Sequence, residues 1–153
     1  MKPGYVVSYR FSQKFNAPKD FVYSWCTDYR EDDPKMLGSK FRRRFIERTS
    51  ERVVWWVDEG GEKVRKPQPV RVVWLSPPDR WHLETCGDGF EIGDYRVTSL
   101  GSEKAKLDVE FTVVLDSKRL AGASKLMRAN GRNHWKAYAK FLERDYKALA
   151  RAS

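Results

Sequence analysis

The sequence predicts an α+β fold: a curved, seven-stranded antiparallel sheet wrapped on a long C-terminal helix, with two short helices after the first strand. Three observations carry it. Residues 5–15 alternate apolar and polar, residues 40–116 are a run of short β-like segments separated by turn signals, and residues 120–150 follow a helical period. At 153 residues the chain suits one domain, expected to span 1–153.

In the first strand Val7, Tyr9, Phe11, Gln13 and Phe15 share a face opposite Ser8, Arg10, Ser12 and Lys14. Asn16-Ala17-Pro18 breaks it, with Asn16 as the expected helix cap. Phe21, Val22, Trp25, Cys26 and Tyr29 then sit at helical spacing over 18–29. Asp32-Asp33-Pro34 opens a second short helix that Gly38 closes. Further strands are expected at 40–49, 52–59, 62–75, 80–87, 91–100 and 103–116. They are divided by Thr49-Ser50, Gly60-Gly61, Pro77-Pro78, Gly87-Asp88-Gly89 and Gly101-Ser102. Such short connections require antiparallel neighbours, hence a meander. Pro67 and Pro69 mark an edge or a bulge.

Parity assigns the inward faces. Val70, Val72 and Trp74 are placed inside, opposite Arg71. Trp81, Leu83 and Thr85 are inside in the next strand, then Tyr95, Val97 and Ser99, then Leu107, Val109, Phe111, Val113 and Leu115. Parity leaves Trp55 and Trp56 undecided. Arg43 shares the face of Phe41 and Phe45. If that face is inward, Arg43 is a buried cation wanting a carboxylate from the protein or a ligand; if the strand is shifted, Ile46 is inward and Arg42, Arg44 and Arg48 are solvated.

On the terminal helix Leu120, Met127, His134, Tyr138, Phe141, Leu142, Asp145 and Leu149 form one face. Arg128, Arg132, Lys136, Lys140, Arg144, Lys147 and Arg151 form the other. The whole chain has 30 Lys/Arg against 21 Asp/Glu, and residues 117–153 hold ten of those cations against only Glu143 and Asp145. That basic stripe reads as a solvated outer face or as transient attraction to an anionic membrane. Nucleic acid is disfavoured, because no exposed aromatics interleave with the charges.

A twisted sheet cannot lie flat on a straight helix, so a ring-rich interior tends to leave space for a ligand. The expected ligand-binding residues are Trp74, Trp81, Tyr95, Phe111, Met127, Asn130, His134 and Tyr138. His134 is also the one catalytic candidate, as a proton carrier, with a core histidine as the plain alternative. Asp145, on the buried side, calls for an ion pair, for which Arg43, or Arg10 and Arg96 despite their outward parity, are candidates; the alternative is a carboxylate in water at the frayed helix end. His82, Asp32 and Asp33 read as solvated. Two His and two Cys lie too far apart for a metal, no cofactor motif appears, and both thiols read as small buried hydrophobes in a reduced, cytoplasmic chain. No apolar run reaches membrane-spanning length, and Met1-Lys2-Pro3-Gly4-Tyr5 lacks an apolar signal core.

The element order resembles the START-like helix-grip (SRPBCC) superfamily over nearly the whole chain. Phe15-Asn16-Ala17-Pro18 through Trp25 is similar to the family's opening after its first strand. Cys26-Thr27-Asp28-Tyr29 with Asp32-Asp33-Pro34, and Asn133-His134-Trp135 through Tyr146, look like the polyketide cyclase/dehydrase-like branch. The glycine-rich loop that some members carry after the second strand is replaced by Arg48-Thr49-Ser50-Glu51. The resemblance implies a cavity for a hydrophobic or aromatic small molecule or lipid, with a cyclase/dehydratase-like activity as the alternative.

Overall fold

The computed structural model describes residues 4–31, 33–58, 69–87, 90–115 and 123–153. Strand β1 (Tyr5–Phe15) leads to helix α1 (Lys19–Thr27) and a 3-10 turn (Asp33–Leu37). Six strands follow: β2 (Arg42–Arg48), β3 (Arg52–Asp58), β4 (Val70–Ser76), β5 (Arg80–Cys86), β6 (Phe90–Gly101) and β7 (Lys104–Leu115). Helix α2 (Ala123–Ala152) ends the fold. All neighbours are antiparallel in the order β1-β7-β6-β5-β4-β3-β2, so β1 closes against the last strand. The expected second short helix is the 3-10 turn. Leu120, Gly60-Gly61, Pro67 and the segment 62–68 of the expected fourth strand lie outside the described residues.

The alternation of β1 survives as drawn: Phe11 and Phe15 are buried while Arg10, Ser12 and Lys14 are exposed. Its polar side pairs with β7 through Ser8–Thr112, Arg10–Glu110 and Ser12–Asp108. Trp55 settles the β3 ambiguity: it is fully buried with Val53 and Val57, and Trp56 faces the other way. Arg43 is buried opposite the inward Val57 while Arg42 and Arg44 are exposed; a bulge between Phe45 and Glu47 then leaves Ile46 at 62% exposure and sets Arg48 opposite Val53, exposed at the sheet's edge over the Phe45 ring.

Other expectations are corrected. The parity of β4 is reversed: Arg71, Val73 and Leu75 pair with the inward Thr85, Leu83 and Trp81 of β5, so Trp74 faces out against His82, ring to ring at 5.5 Å. Asn16 does not cap α1. Pro18 holds the cap position without a side-chain bond, and the Asn16 N–H instead donates to Glu143 Oε1 at 2.9 Å. Cys86 is exposed because it falls on the outer parity of β5. Asp33 is not solvated: it pairs with Arg43 at 2.6 Å, both side chains largely buried.

The core runs between the inner sheet face and α2. Leu142 is fully buried and Ala139 nearly so, and Trp135 packs against the same cluster. The buried stripe is therefore rotated from the expected one, and Leu149 is 58% exposed. Asp145 takes a hydrogen bond from the Trp25 indole at 2.9 Å and an ion pair from Arg144 at 3.3 Å, so α1 is tied to α2 without Arg10, Arg43 or Arg96. All seven residues of the basic stripe are exposed, and no described helix is long and apolar enough to cross a membrane.

His82 lies on the outer face between Asp94 (2.6 Å) and Glu84 (3.1 Å). Partial burial opposes its charged form, but the bonds to the two carboxylates outweigh burial and raise its pKa. A raised folded value contributes stability fully below the unfolded value near 6.5, and that contribution fades as pH climbs through the folded value. Urea unfolding should show native protein more stable than His82→Gln between about pH 5 and 6, with the gap closing above neutrality. A gap that widens with pH contradicts the assignment.

Candidate functional site

A cavity of about 390 Å³ lies between the sheet and α2. Its floor comes from alternate inward positions of adjacent strands: Tyr9 and Phe11 of β1, Val109 and Phe111 of β7, Tyr95 of β6, Trp81 and Leu83 of β5, Arg71 of β4 and Arg43 of β2. Its roof is the α2 stripe of Met127, Asn130, Gly131, His134, Trp135 and Tyr138. Trp25 and Cys26 of α1, with Tyr29 and Asp33, close one end.

The walls are mostly rings. Trp81 and Tyr95 are directly opposite on β5 and β6 and stack at 4.8 Å, nearly parallel at 5°. Trp135 stands 6.1 Å from Tyr95 and 5.3 Å from Tyr138, and Trp25 meets Tyr138 edge-on at 5.9 Å. Two glycines let the rings close in. A Cβ on Gly131 would fall 2.9 Å from Phe11 Cε1, so α2 rests on β1 only because that position is bare. Gly93, opposite Phe111 on β7, leaves its space to the rings of Tyr95 and Phe111.

Charge is concentrated at one end. Arg43 Nη1 donates to Asp33 Oδ2 at 2.6 Å and to the Arg30 carbonyl at 2.8 Å, and its guanidinium lies 5.1 Å from the Tyr29 ring and 5.2 Å from the Trp55 ring. Burial pushes the Tyr29, Tyr95 and Tyr138 hydroxyls up, so all three are neutral donors at pH 7. Burial, then the Glu91 carboxylate, takes Tyr9 up to about 12. Burial also drives the Cys26 thiol up, leaving it a poor nucleophile. His134 stands at the rim, edge-on to Tyr138 at 4.6 Å. Burial of its ring, then the positive charge of Arg71, lowers its pKa, so it is a neutral imidazole at pH 7.

Of the residues expected from sequence, Trp81, Tyr95, Phe111, Met127, Asn130, His134 and Tyr138 all line this cavity. Trp74 does not; it lies on the opposite face of the sheet. The plain core-histidine reading of His134 does not fit its place at the rim. Sequence reasoning missed Arg71, Asp33, Tyr9 and Trp135 as lining residues, and took Trp25, Cys26 and Tyr29 as ordinary helix packing. The Arg71 signal was present: the tight turn after Ser76 sets Leu75 against the inward Trp81, which by strict alternation through Val73 forces Arg71 inward four positions earlier. Among the described residues no cluster of His, Cys, Asp or Glu is placed to hold a metal.

No protein-family model and no curated protein matches this sequence. Solved structures do match in shape. A Thermus thermophilus protein superposes with TM-score 0.70 at 18% identity, covering 95% of this chain and 99% of that one. The Zhui aromatase/cyclase of a Streptomyces species gives 0.68 at 14%, covering 97% and 98%. Norcoclaurine synthase from Thalictrum flavum gives 0.67 at 8%, covering 92% and 86%. The two named enzymes are helix-grip proteins, and this chain has the helix-grip fold.

Proposed function

We propose that this helix-grip chain binds an aromatic or otherwise apolar small molecule in the cavity under α2. The observation that supports the reading most is the cavity itself: a space of about 390 Å³ walled by stacked and tilted rings, which the protein's own side chains leave open. Ligand sites in general are concave, mainly apolar and furnished with a few polar groups, here Asn130, His134 and the tyrosine hydroxyls. Each Å² of apolar ligand surface removed from water adds about 25 cal/mol.

The test is titration with a flat, neutral aromatic, 2-naphthamide, followed by tryptophan emission and calorimetry. Saturable quenching is expected. Trp81→Ala should weaken binding by roughly tenfold, since it removes one stacked wall. Trp74→Ala should leave the affinity unchanged, because that ring lies outside. Absence of saturable binding by 2-naphthamide and related flat amides removes the reading.

One observation supports a second reading, catalysis on a polycarbonyl substrate in the same cavity. His134 stands at the rim beside Tyr138 with its pKa lowered by burial, so its neutral imidazole is available there to accept a proton as a general base. Two of the structural neighbours are an aromatase/cyclase and a synthase by name. His134→Gln should then keep naphthamide affinity and lose turnover of a model polycarbonyl compound; equal turnover excludes His134.

A further inference from the structure

We infer that the molecule bound in this cavity carries a single negative charge, a carboxylate seated against the Arg71 guanidinium. The inference rests on the binding reading above and narrows it to one ligand class, aromatic carboxylates. Arg71 points inward from β4 and lines the cavity. It makes no ion pair with any carboxylate among the described residues, and its Nε is buried without a partner. Its two neighbours across the sheet share that condition. Trp55 on β3 and Thr85 on β5 stand directly beside it, and Trp55 Nε1 and Thr85 Oγ1 are also buried and unpartnered. Trp Nε1 and the guanidinium only donate. Trp55 Nε1 and Arg71 Nε are therefore donors left without an acceptor among the described residues, and the Thr85 hydroxyl, which can donate or accept, stands unpaired beside them.

The charges lining the cavity do not balance. Among the described residues that line it, Arg43 and Arg71 are cations, Asp33 is the single carboxylate, and it is committed to Arg43 at 2.6 Å. His134 adds no charge at neutral pH. Glu91 shares the inward parity of Gly93 and Tyr95, two strands from Arg71, but it neither lines the cavity nor pairs with Arg71. One positive charge remains among apolar rings, where an unpaired ion is costly and the attraction of a counter-ion is strong. A carboxylate matches the forked donors of a guanidinium. A doubly charged phosphate would leave one negative charge unmatched beside neutral tyrosines. Size fits as well: a cavity of about 150 Å³ holds one benzene, so 390 Å³ holds a skeleton of roughly two to three rings.

The experiment compares 2-naphthoate with its neutral counterpart 2-naphthamide on native protein, Arg71→Gln and Arg71→Met, by calorimetry with circular dichroism as the fold check. Native protein should prefer naphthoate by at least about tenfold. In both variants that ratio should fall to about one, because naphthoate loses far more affinity than naphthamide. Both variants should fold at least as well as native when empty, since each removes an unpaired buried cation. Thermal shifts of native protein alone give a second readout: naphthoate should raise Tm more than equimolar naphthamide. Equal affinities on native protein, or a preference that persists without Arg71, overturn the inference while leaving the binding reading intact. Naphthoate binding that disappears as NaCl rises to about 0.5 M also overturns it, because that behaviour belongs to the exposed basic stripe of α2. Failure of both compounds to bind removes the binding reading and this inference together.

Discussion

Asp33→Ala should cost about 3–5 kcal/mol of stability, because it strands a buried cation. Arg43 keeps only 8% of its side chain exposed, and Asp33 only 16%. The carboxylate also takes the Arg30 N–H at 2.8 Å and Arg30 Nε at 3.1 Å, so one side chain fixes both the 3-10 turn and the inward guanidinium of β2. Without it, Arg43 keeps one backbone carbonyl and two ring faces, too little to replace the lost hydration of a full charge. For a domain of this size the loss corresponds to a fall in Tm of roughly 6–20 °C. Replacing both partners by apolar residues of similar volume, Asp33→Leu with Arg43→Met, should recover most of it, since the cost lies in the unpaired charge. A thermal-melt cycle of the two single variants and the double reads the coupling directly. If Asp33→Ala melts within about 2 °C of native protein, the pair is not the buried lock described here.

That pair shows where the sequence was legible and where it was not. Alternation in β1, β5, β6 and β7 reads cleanly because one face of an antiparallel sheet meets water, and charges at every second position record it. In β4 the record is blurred. Val70, Val72, Val73 and Trp74 put apolar residues on both parities, and the one charge, Arg71, is the residue turned inward. A cation at the cavity breaks the rule that charges mark the outside, and this is where a functional site is expected to defeat patterning. Asp33 was misread for a different reason. It stands in a turn ten residues from Arg43, and nothing local says that the turn folds back under β2. In α2 the basic stripe was plain, but the centre of the opposite face was not. Small residues, Gly131 and Ala139, mark the closest approach to the sheet and carry little weight in a count of large apolar side chains.

Gly93→Val should abolish measurable binding of 2-naphthamide while leaving the protein folded. Gly93 is buried in β6, and a Cβ placed there would lie 2.7 Å from Tyr95 Cε2 and 2.9 Å from Phe111 Cε2. Neither separation is tolerable, and backbone pairing to Leu83 and Phe111 on either side holds the strand in place. The rings must therefore give way. They lie on the inner face, so displacement carries them off the sheet into the cavity they now line, and Tyr95 also loses its parallel stack on Trp81. Two opposing terms set stability. Overpacking costs about 1–3 kcal/mol, and exchanging glycine for a β-branched residue within a strand returns up to about 1 kcal/mol. The net loss is small enough for the fold to survive, whereas a cavity sized for two to three rings cannot lose one ring's volume and still take its ligand. Gly93→Ala should fall between the two, weakening naphthamide by roughly tenfold for the same displacement on a smaller scale. Calorimetry of both variants beside their urea unfolding separates the terms. Native-like affinity in a folded Gly93→Val protein would place the bound molecule somewhere other than between these rings and α2.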